Sequence, residues 1–347
     1  MMACGKIAWF AVVAVLMAAL APVSAPANPF AYIPNQDSNT VTVINTANTS
    51  VVATIPLGAG LAPQGVAVNP VLNRAYVANF GLNTLSVIDT TTNTVVASVP
   101  VASSVRTVAV NPAGTRVYVP AVGSNLVRVI DTATNAVISG VLVGNSPEGI
   151  AINAAGTRAY VTNSFDDTVS VLDITTTPPT VVTTVGVGDE PWGVAVSPDD
   201  SRVYVANMGF GANSVSVIET ATNTVVATVT VGTSPLGVAV RPDGTRVYVS
   251  NFGSANVSVI DTAINAVVAT VPVGSSPHGA AVSPDGTRVY VSNGGGATVS
   301  VLDTSSCGAG ATGSFDGFFT GRTGQRAGMM YNLGGVQGAV AFGRRGG

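Results

Sequence analysis

The chain has 347 residues, a formal net charge of −3, and a composition that is 47% hydrophobic but only 9% charged. A disordered chain needs the reverse balance, with few aliphatics and many charges, and a nucleic-acid binder needs a basic patch. The sequence has no basic patch, and no charge run exceeds a pair, as at Asp166–Asp167, Asp189–Glu190, Asp199–Asp200 and Arg344–Arg345.

In chain order, the first element is a secretory signal peptide over residues 1–27. Lys6 gives a positive start, Ile7 to Leu20 is an unbroken apolar run, and small residues follow at Ala25 and Ala27. That layout is an export signal, and the run is shorter than the ~20 residues of a spanning helix. Cleavage is expected after Ala27, with an uncleaved anchor as the alternative. After cleavage no membrane span is expected. The protein is then periplasmic, extracellular or at the cell surface. The mature chain keeps one cysteine, Cys307, and one histidine, His278. An internal disulfide and a His/Cys zinc site are excluded on those counts. No cofactor and no metal site is read from the sequence. Asp37-Ser-Asn39 and Asp166-Asp167 offer loop oxygens to calcium, but without an EF-hand pattern a hairpin turn is the simpler reading.

Residues 28–304 are a tandem repeat. A tyrosine recurs at Tyr32, Tyr76, Tyr118, Tyr160, Tyr204, Tyr248 and Tyr290, in steps of 42 or 44 residues. Each unit carries four short Val/Ile-rich runs, for example Gly237–Val240, Arg246–Val249, Val257–Asp261 and Val267–Val271. Pro-Asp-Gly-Thr, Asn-rich and Asp-Thr-x-x-Asn segments separate them, and these are turn sequences. β-branched runs bounded by turns are strands. Four strands per unit of this period make an all-β fold, a seven-bladed β-propeller with four-stranded antiparallel blades.

The segments Tyr160-Val-Thr-Asn163, Val-Ser-Val-(Ile/Leu)-Asp and Pro-x-Gly-Val-Ala-Val repeat in register over roughly residues 30 to 304. In this the chain resembles the YVTN family of seven-bladed propellers, which implies an exported, surface-layer-like protein. Tyr118-Val-Pro-Ala121 and Asn45 depart from the pattern.

Within the repeat, an arginine opens one strand and an acid closes the next. The pairs are Arg74 with Asp89, Arg116 with Asp131, Arg158 with Asp173, Arg202 with Glu219, Arg246 with Asp261, and Arg288 with Asp303. The spacing is 15 residues in five units and 17 in the fifth. In an antiparallel hairpin these ends face each other, so the pairs are structural and contribute ~0.2–1 kcal/mol each.

The first unit lacks an inner strand and the last lacks an outer one. The Gly-rich tail, 305–347, contains Gly338-Ala-Val-Ala-Phe342. That stretch either supplies the inner strand of the first blade, closing the ring, or the tail is disordered.

The x of each Pro-x-Gly leads into an inner strand at the channel mouth. Five of the six units carry that motif; the third reads Val105-Arg106-Thr107. The position reads Gln64, Arg106, Glu148, Trp192, Leu236 and His278, with Asp189 and Glu190 just before Trp192. It differs in every unit within a nearly constant frame. Two readings stand: an asymmetric ligand pocket, or tolerated divergence on a solvated loop. No catalytic residues are assigned. The leading expectation is an exported non-catalytic binding or scaffold propeller facing a protein or glycan of the cell envelope. The alternatives are a channel-using hydrolase or lyase and a structural surface-layer component. Similar propellers include lactonases, the virginiamycin B lyase type and the large subunits of quinoprotein amine dehydrogenases.

Overall fold

The computed structural model describes residues 30–101 and 103–305, and the backbone of Asn332–Leu333, Val336–Gln337 and Ala341–Gly343. Residues 1–27 (expected above to be a signal peptide), Cys307 and most of the tail lie outside the described residues. The architecture is an all-β, seven-bladed propeller of four-stranded antiparallel sheets.

Blade II shows the unit. Its strands run Pro63–Asn69, Arg74–Asn79, Thr84–Asp89 and Thr94–Pro100, from the axis outward. The two middle strands are buried nearly throughout, and Tyr76, Val77, Val87 and Ile88 supply aromatic and β-branched side chains suited to a pleated, packed surface. The outer strand is exposed. A bulge between Val87 and Ile88 in its pairing interrupts the open edge, one of the ways sheets protect edges.

The tyrosines hold blade to blade. All seven are buried. Tyr76, with Leu85 and Val87 of its own blade, packs on Val108, Val110, Val117, Val119 and Ile130 of blade III. The ring closes in the same way: Tyr290 of blade VII shares a core with Ala31, Ile33 and Ile44 of blade I. A fully buried side chain of this size contributes about 1.5–3 kcal/mol.

Blade I pairs Phe30–Asn35, Thr40–Asn45 and Ser50–Pro56 with Ala341–Gly343 as the axial strand. That strand overlaps the Gly338–Phe342 stretch named above. Blade VII is three-stranded among the described residues, Pro277–Val282, Arg288–Asn293 and Thr298–Asp303.

The arginines and acids sit directly opposite in register. Arg74 meets Asp89 at 2.6 Å, Arg116 meets Asp131 at 2.7 Å, Arg158 meets Asp173 at 2.8 Å, Arg202 meets Glu219 at 3.0 Å and Arg246 meets Asp261 at 2.7 Å. Arg288 stands opposite Asp303, and its guanidinium also donates to the Thr46 carbonyl of blade I at 2.5 Å. The acids have a second role. Asp89 Oδ1 accepts from the Thr91 N–H and hydroxyl and from the Thr92 N–H, closing the turn. The Thr91 hydroxyl is the main reason its carboxyl titrates at about 2, with Arg74 adding less.

Blade III departs from the expected four full strands. Its axial strand is only Ala109–Val110, with one isolated bridge from Val105 to Ala121. Pro120 stands in the neighbouring strand, Arg116–Ala121. A proline has no N–H to give a ladder.

Candidate functional site

The mouth of the channel is built from two turns per blade. One is the loop leading into the axial strand. The other joins the second and third strands. The residue after the second strand donates its N–H to the carbonyl two places before x: Phe80 to Ala62, Val122 to Ser104, Ser164 to Ser146, Met208 to Glu190, Phe252 to Ser234 and Gly294 to Ser276. The preceding blade supplies a second tether. Side-chain oxygens of Asn39, Asn83, Asn125, Asp167 and Asn213 accept the N–H of Ala62, Ser104, Ser146, Glu190 and Ser234. All five acceptors have positive φ, a conformation that Asn and Asp tolerate best after glycine. The corresponding residue before the His278 loop is Ala255, φ 49, which has no side-chain oxygen to offer.

The x residues are also fixed through their own carbonyls. The Thr162 hydroxyl donates to Trp192 O at 2.7 Å and the Ser250 hydroxyl to His278 O at 2.6 Å. Blade III has Pro120 at that strand position, and there the hydroxyl comes from Thr107, which donates to Glu148 O at 2.5 Å. The blades approach so closely that the residue after x is glycine elsewhere. A Cβ on Gly65 would lie 2.5 Å from Arg106 O, and one on Gly237 would lie 2.6 Å from His278 O.

The result is a cavity of about 300 Å³ at the mouth, at the small end of ligand pockets. Its described lining brings together five of the six x residues, Gln64, Arg106, Trp192, Leu236 and His278. Arg106 is clamped, with its guanidinium carbon 4.7 Å from the Phe80 ring centroid and 5.3 Å from that of Trp192. Stacking of this kind is worth ~0.5–2 kcal/mol according to solvent exposure. The His278 ring meets Phe252 edge-on at 5.1 Å, and its Nδ1 lies 3.0 Å from Ser276 O. Only an N–H donates to a carbonyl. The neutral ring therefore carries its proton on Nδ1 and its lone pair on Nε2.

Three acids fall elsewhere than the sequence expectation put them. Glu148 does not offer its charge to a ligand. It is only 4% exposed, with Oε2 3.5 Å from Arg106 Nε and Oε1 3.3 Å from the Ser146 hydroxyl. Burial pushes its carboxyl above the usual range, and Arg106 and Ser146 pull against that. Asp189 and Glu190 are exposed and stand outside the described cavity lining. The backbone of Glu190, φ 47, is bonded to Asp167 and Met208, as in the other lead-in loops.

Sequence reasoning missed a second ring, formed by the residue after each second strand. Gln36, Met208 and Phe252 line the cavity, and Phe80 backs Arg106. The signal was available: Gln36, Phe80, Val122, Ser164, Met208, Phe252 and Gly294 vary within a constant frame, only Phe recurring, much as the x residues do. Among the described residues there is no cluster of three metal-ligating side chains.

Comparison with solved structures places the fold among enzymes and proteins of unknown role. Hydrazine synthase of Kuenenia stuttgartiensis aligns with a TM-score of 0.67 and 25% identity, over 72% of this chain and 78% of that one. A functionally unknown protein from Desulfotomaculum acetoxidans aligns at 0.72 and 19% identity, over 91% and 99%. A putative 6-phosphogluconolactonase from Bacteroides uniformis aligns at 0.67 and 16% identity, over 80% and 92%. No curated protein matches the sequence. The family model described as "Lactonase, 7-bladed beta-propeller" matches residues 86–265 and 172–309. With more than half of its length matched, the chain belongs to the seven-bladed β-propeller lactonase family.

Proposed function

We propose that the mouth cavity binds and hydrolyses a small lactone. The observation that carries this reading is the convergence of Arg106 and His278 on one small, largely apolar cavity. In such a setting a fixed cation stabilises developing negative charge far better than in water. Arg106, held between two rings and backed by Glu148, takes the carbonyl oxygen. His278 Nε2 takes a proton from water as that water attacks the carbonyl carbon. The ring C–O bond then breaks, and the departing ring oxygen receives the proton from His278. Family membership supports the same chemistry.

A non-catalytic binding role at the same face is the second reading. Phe165 and Phe210, highly exposed on turns at the mouth, favour it, because exposed apolar groups around a site mark partner surfaces. In that reading the partner is a protein or glycan of the cell envelope. Export through the leader, and a surface-layer-like role, belong with either reading.

The test is pH-stat hydrolysis of a panel of γ- and δ-lactones. Turnover that falls at least a hundredfold in both Arg106→Ala and His278→Ala supports the lactonase reading. Full activity in either variant removes that residue from the chemistry. No turnover of any lactone by the unaltered chain sinks the reading and leaves the binding role.

A further inference from the structure

The cavity is two-sided. Blades V and VI contribute an apolar arc, Trp192, Met208, Leu236 and Phe252, interrupted only by Ser234 of the blade VI lead-in. Both mouth positions of both blades are apolar there. Blades VII, I, II and III contribute His278, Gln36, Gln64, Arg106 and Thr107. The two arcs meet at their ends, where His278 touches Phe252 at 5.1 Å and Arg106 touches Trp192 at 5.3 Å. Beyond the apolar arc, Phe210 is fully exposed on the blade V turn. A ligand that satisfies both sides has a polar ring at one end and hydrocarbon at the other.

Charge narrows the class further. Arg106 is the one cationic side chain in the described lining, and it is already paired with the buried Glu148. A single guanidinium whose charge is already partly answered by Glu148 is a poor match for a phosphate dianion. A hydroxylated sugar ring would set its polar groups against Leu236 and Met208 without partners, which is unfavourable for each unpaired group.

Resting on the lactonase reading above, we propose that the substrate is a lactone whose ring carries an unbranched aliphatic chain, not a phosphorylated sugar lactone. The ring sits between Arg106 and His278, and the chain runs over Trp192, Met208, Leu236 and Phe252 toward Phe210.

The experiment measures kcat/KM for γ-lactones with side chains from methyl to octyl, beside a phosphorylated sugar lactone. Each buried methylene should raise kcat/KM about fourfold, the equivalent of ~0.8 kcal/mol, up to a plateau where the chain leaves the cavity. Leu236→Ser and Met208→Ser should each flatten that series, and either serves if the other does not fold. A series with no dependence on chain length, or faster turnover of the phosphorylated sugar lactone, overturns the proposal. If no lactone is turned over, the hydrolytic reading has failed but the ligand class is still tested. Trp192 fluorescence, with Trp9 replaced by Phe, then reports binding of the same lactones. Affinity that rises with chain length supports an aliphatic ligand, and affinity independent of it overturns one.

Discussion

Replacing Ala255 with Asn should make the protein more stable and its mouth more rigid. Ala255 holds φ 49, a left-handed conformation that is unfavourable for an alanine by about 1–2 kcal/mol and less so for an asparagine. In the equivalent turns Asn39, Asn83, Asn125 and Asn213 accept a loop N–H at 2.8, 2.5, 3.1 and 3.1 Å. Asn at 255 would offer the same oxygen to the N–H of Ser276, two residues before His278. A net hydrogen bond adds about 0.5–1.5 kcal/mol. With partial relief of the backbone the gain is about 1–2 kcal/mol, or roughly 2–8 °C in Tm for a domain of this size. Differential scanning calorimetry measures it. Ala255→Gly separates the two contributions, because glycine relieves φ but brings no oxygen and has the more flexible unfolded chain. The single histidine also gives a single imidazole resonance, which should sharpen in Ala255→Asn if the loop is steadied. A Tm no higher in Ala255→Asn than in Ala255→Gly would refute the idea that these side-chain oxygens anchor the loops.

Gly237→Ala should lower stability by about 1–3 kcal/mol and shift the His278 resonance, because the new Cβ lies 2.6 Å from His278 O and 2.9 Å from Ala280 N. An unshifted resonance at unchanged Tm would mean that the blades yield at this contact. Glu148→Gln should change how stability depends on pH. Burial raises the native carboxyl above its unfolded value, so the native state binds more protons and stability falls as pH rises through that raised value. Tm measured from about pH 4 to 8 should show this decline in the natural chain and a flatter profile in Glu148→Gln; superimposable profiles would count against it. Deleting residues 305–347 removes the axial strand that pairs with Phe30–Tyr32, and should lower Tm and promote association through the exposed edge; an unchanged Tm would show that the strand adds nothing.

The fold was legible because its signals are local. β-branched runs, turn sequences and a fixed period name each strand without knowledge of its neighbours, and the Arg/acid spacing gives the register of each hairpin. Even the 17-residue spacing in blade V leaves Arg202 opposite Glu219, since the extra residues extend only the turn. The candidate site was half legible. Variation within a constant frame marked Gln64, Arg106, Trp192, Leu236 and His278. It did not tell which way a side chain faces, and that is settled between blades. Glu148 has Arg106 at one carboxyl oxygen and Ser146 at the other, so its carboxyl is buried and partnered. Asp189 and Glu190 adjoin Trp192 in sequence, but both are exposed and neither is in the described cavity lining. Contacts across blades join residues about 42 positions apart and leave no trace in local periodicity.

Blade III shows how a repeat makes an asymmetric site. In four other blades the lead-in glycine lies against the Asn that ends the second strand: Gly144 against Asn163, Gly188 against Asn207, Gly232 against Asn251 and Gly274 against Asn293, with a Cβ 2.6 Å from each amide carbon. A side chain at the glycine position therefore requires a smaller partner. Blade III has Ala102 there and Ala121 in place of the Asn. Loss of the Asn also removes the partner of the third-strand serine, as in Asn79 Nδ2 to Ser86 Oγ at 2.9 Å. That serine is Arg128 in blade III, and opposite it stands Gly140, where any Cβ would crowd the arginine at 3.3 Å. Pro120 removes a ladder donor, and Thr107 supplies the hydroxyl that holds Glu148. Arg128 and Gly140 are coupled by direct contact. Together the blade III substitutions shorten the axial strand at the blade that presents Arg106. The frame is broken at the one place where a guanidinium must leave the strand's regular geometry to reach Glu148, Phe80 and Trp192 at once.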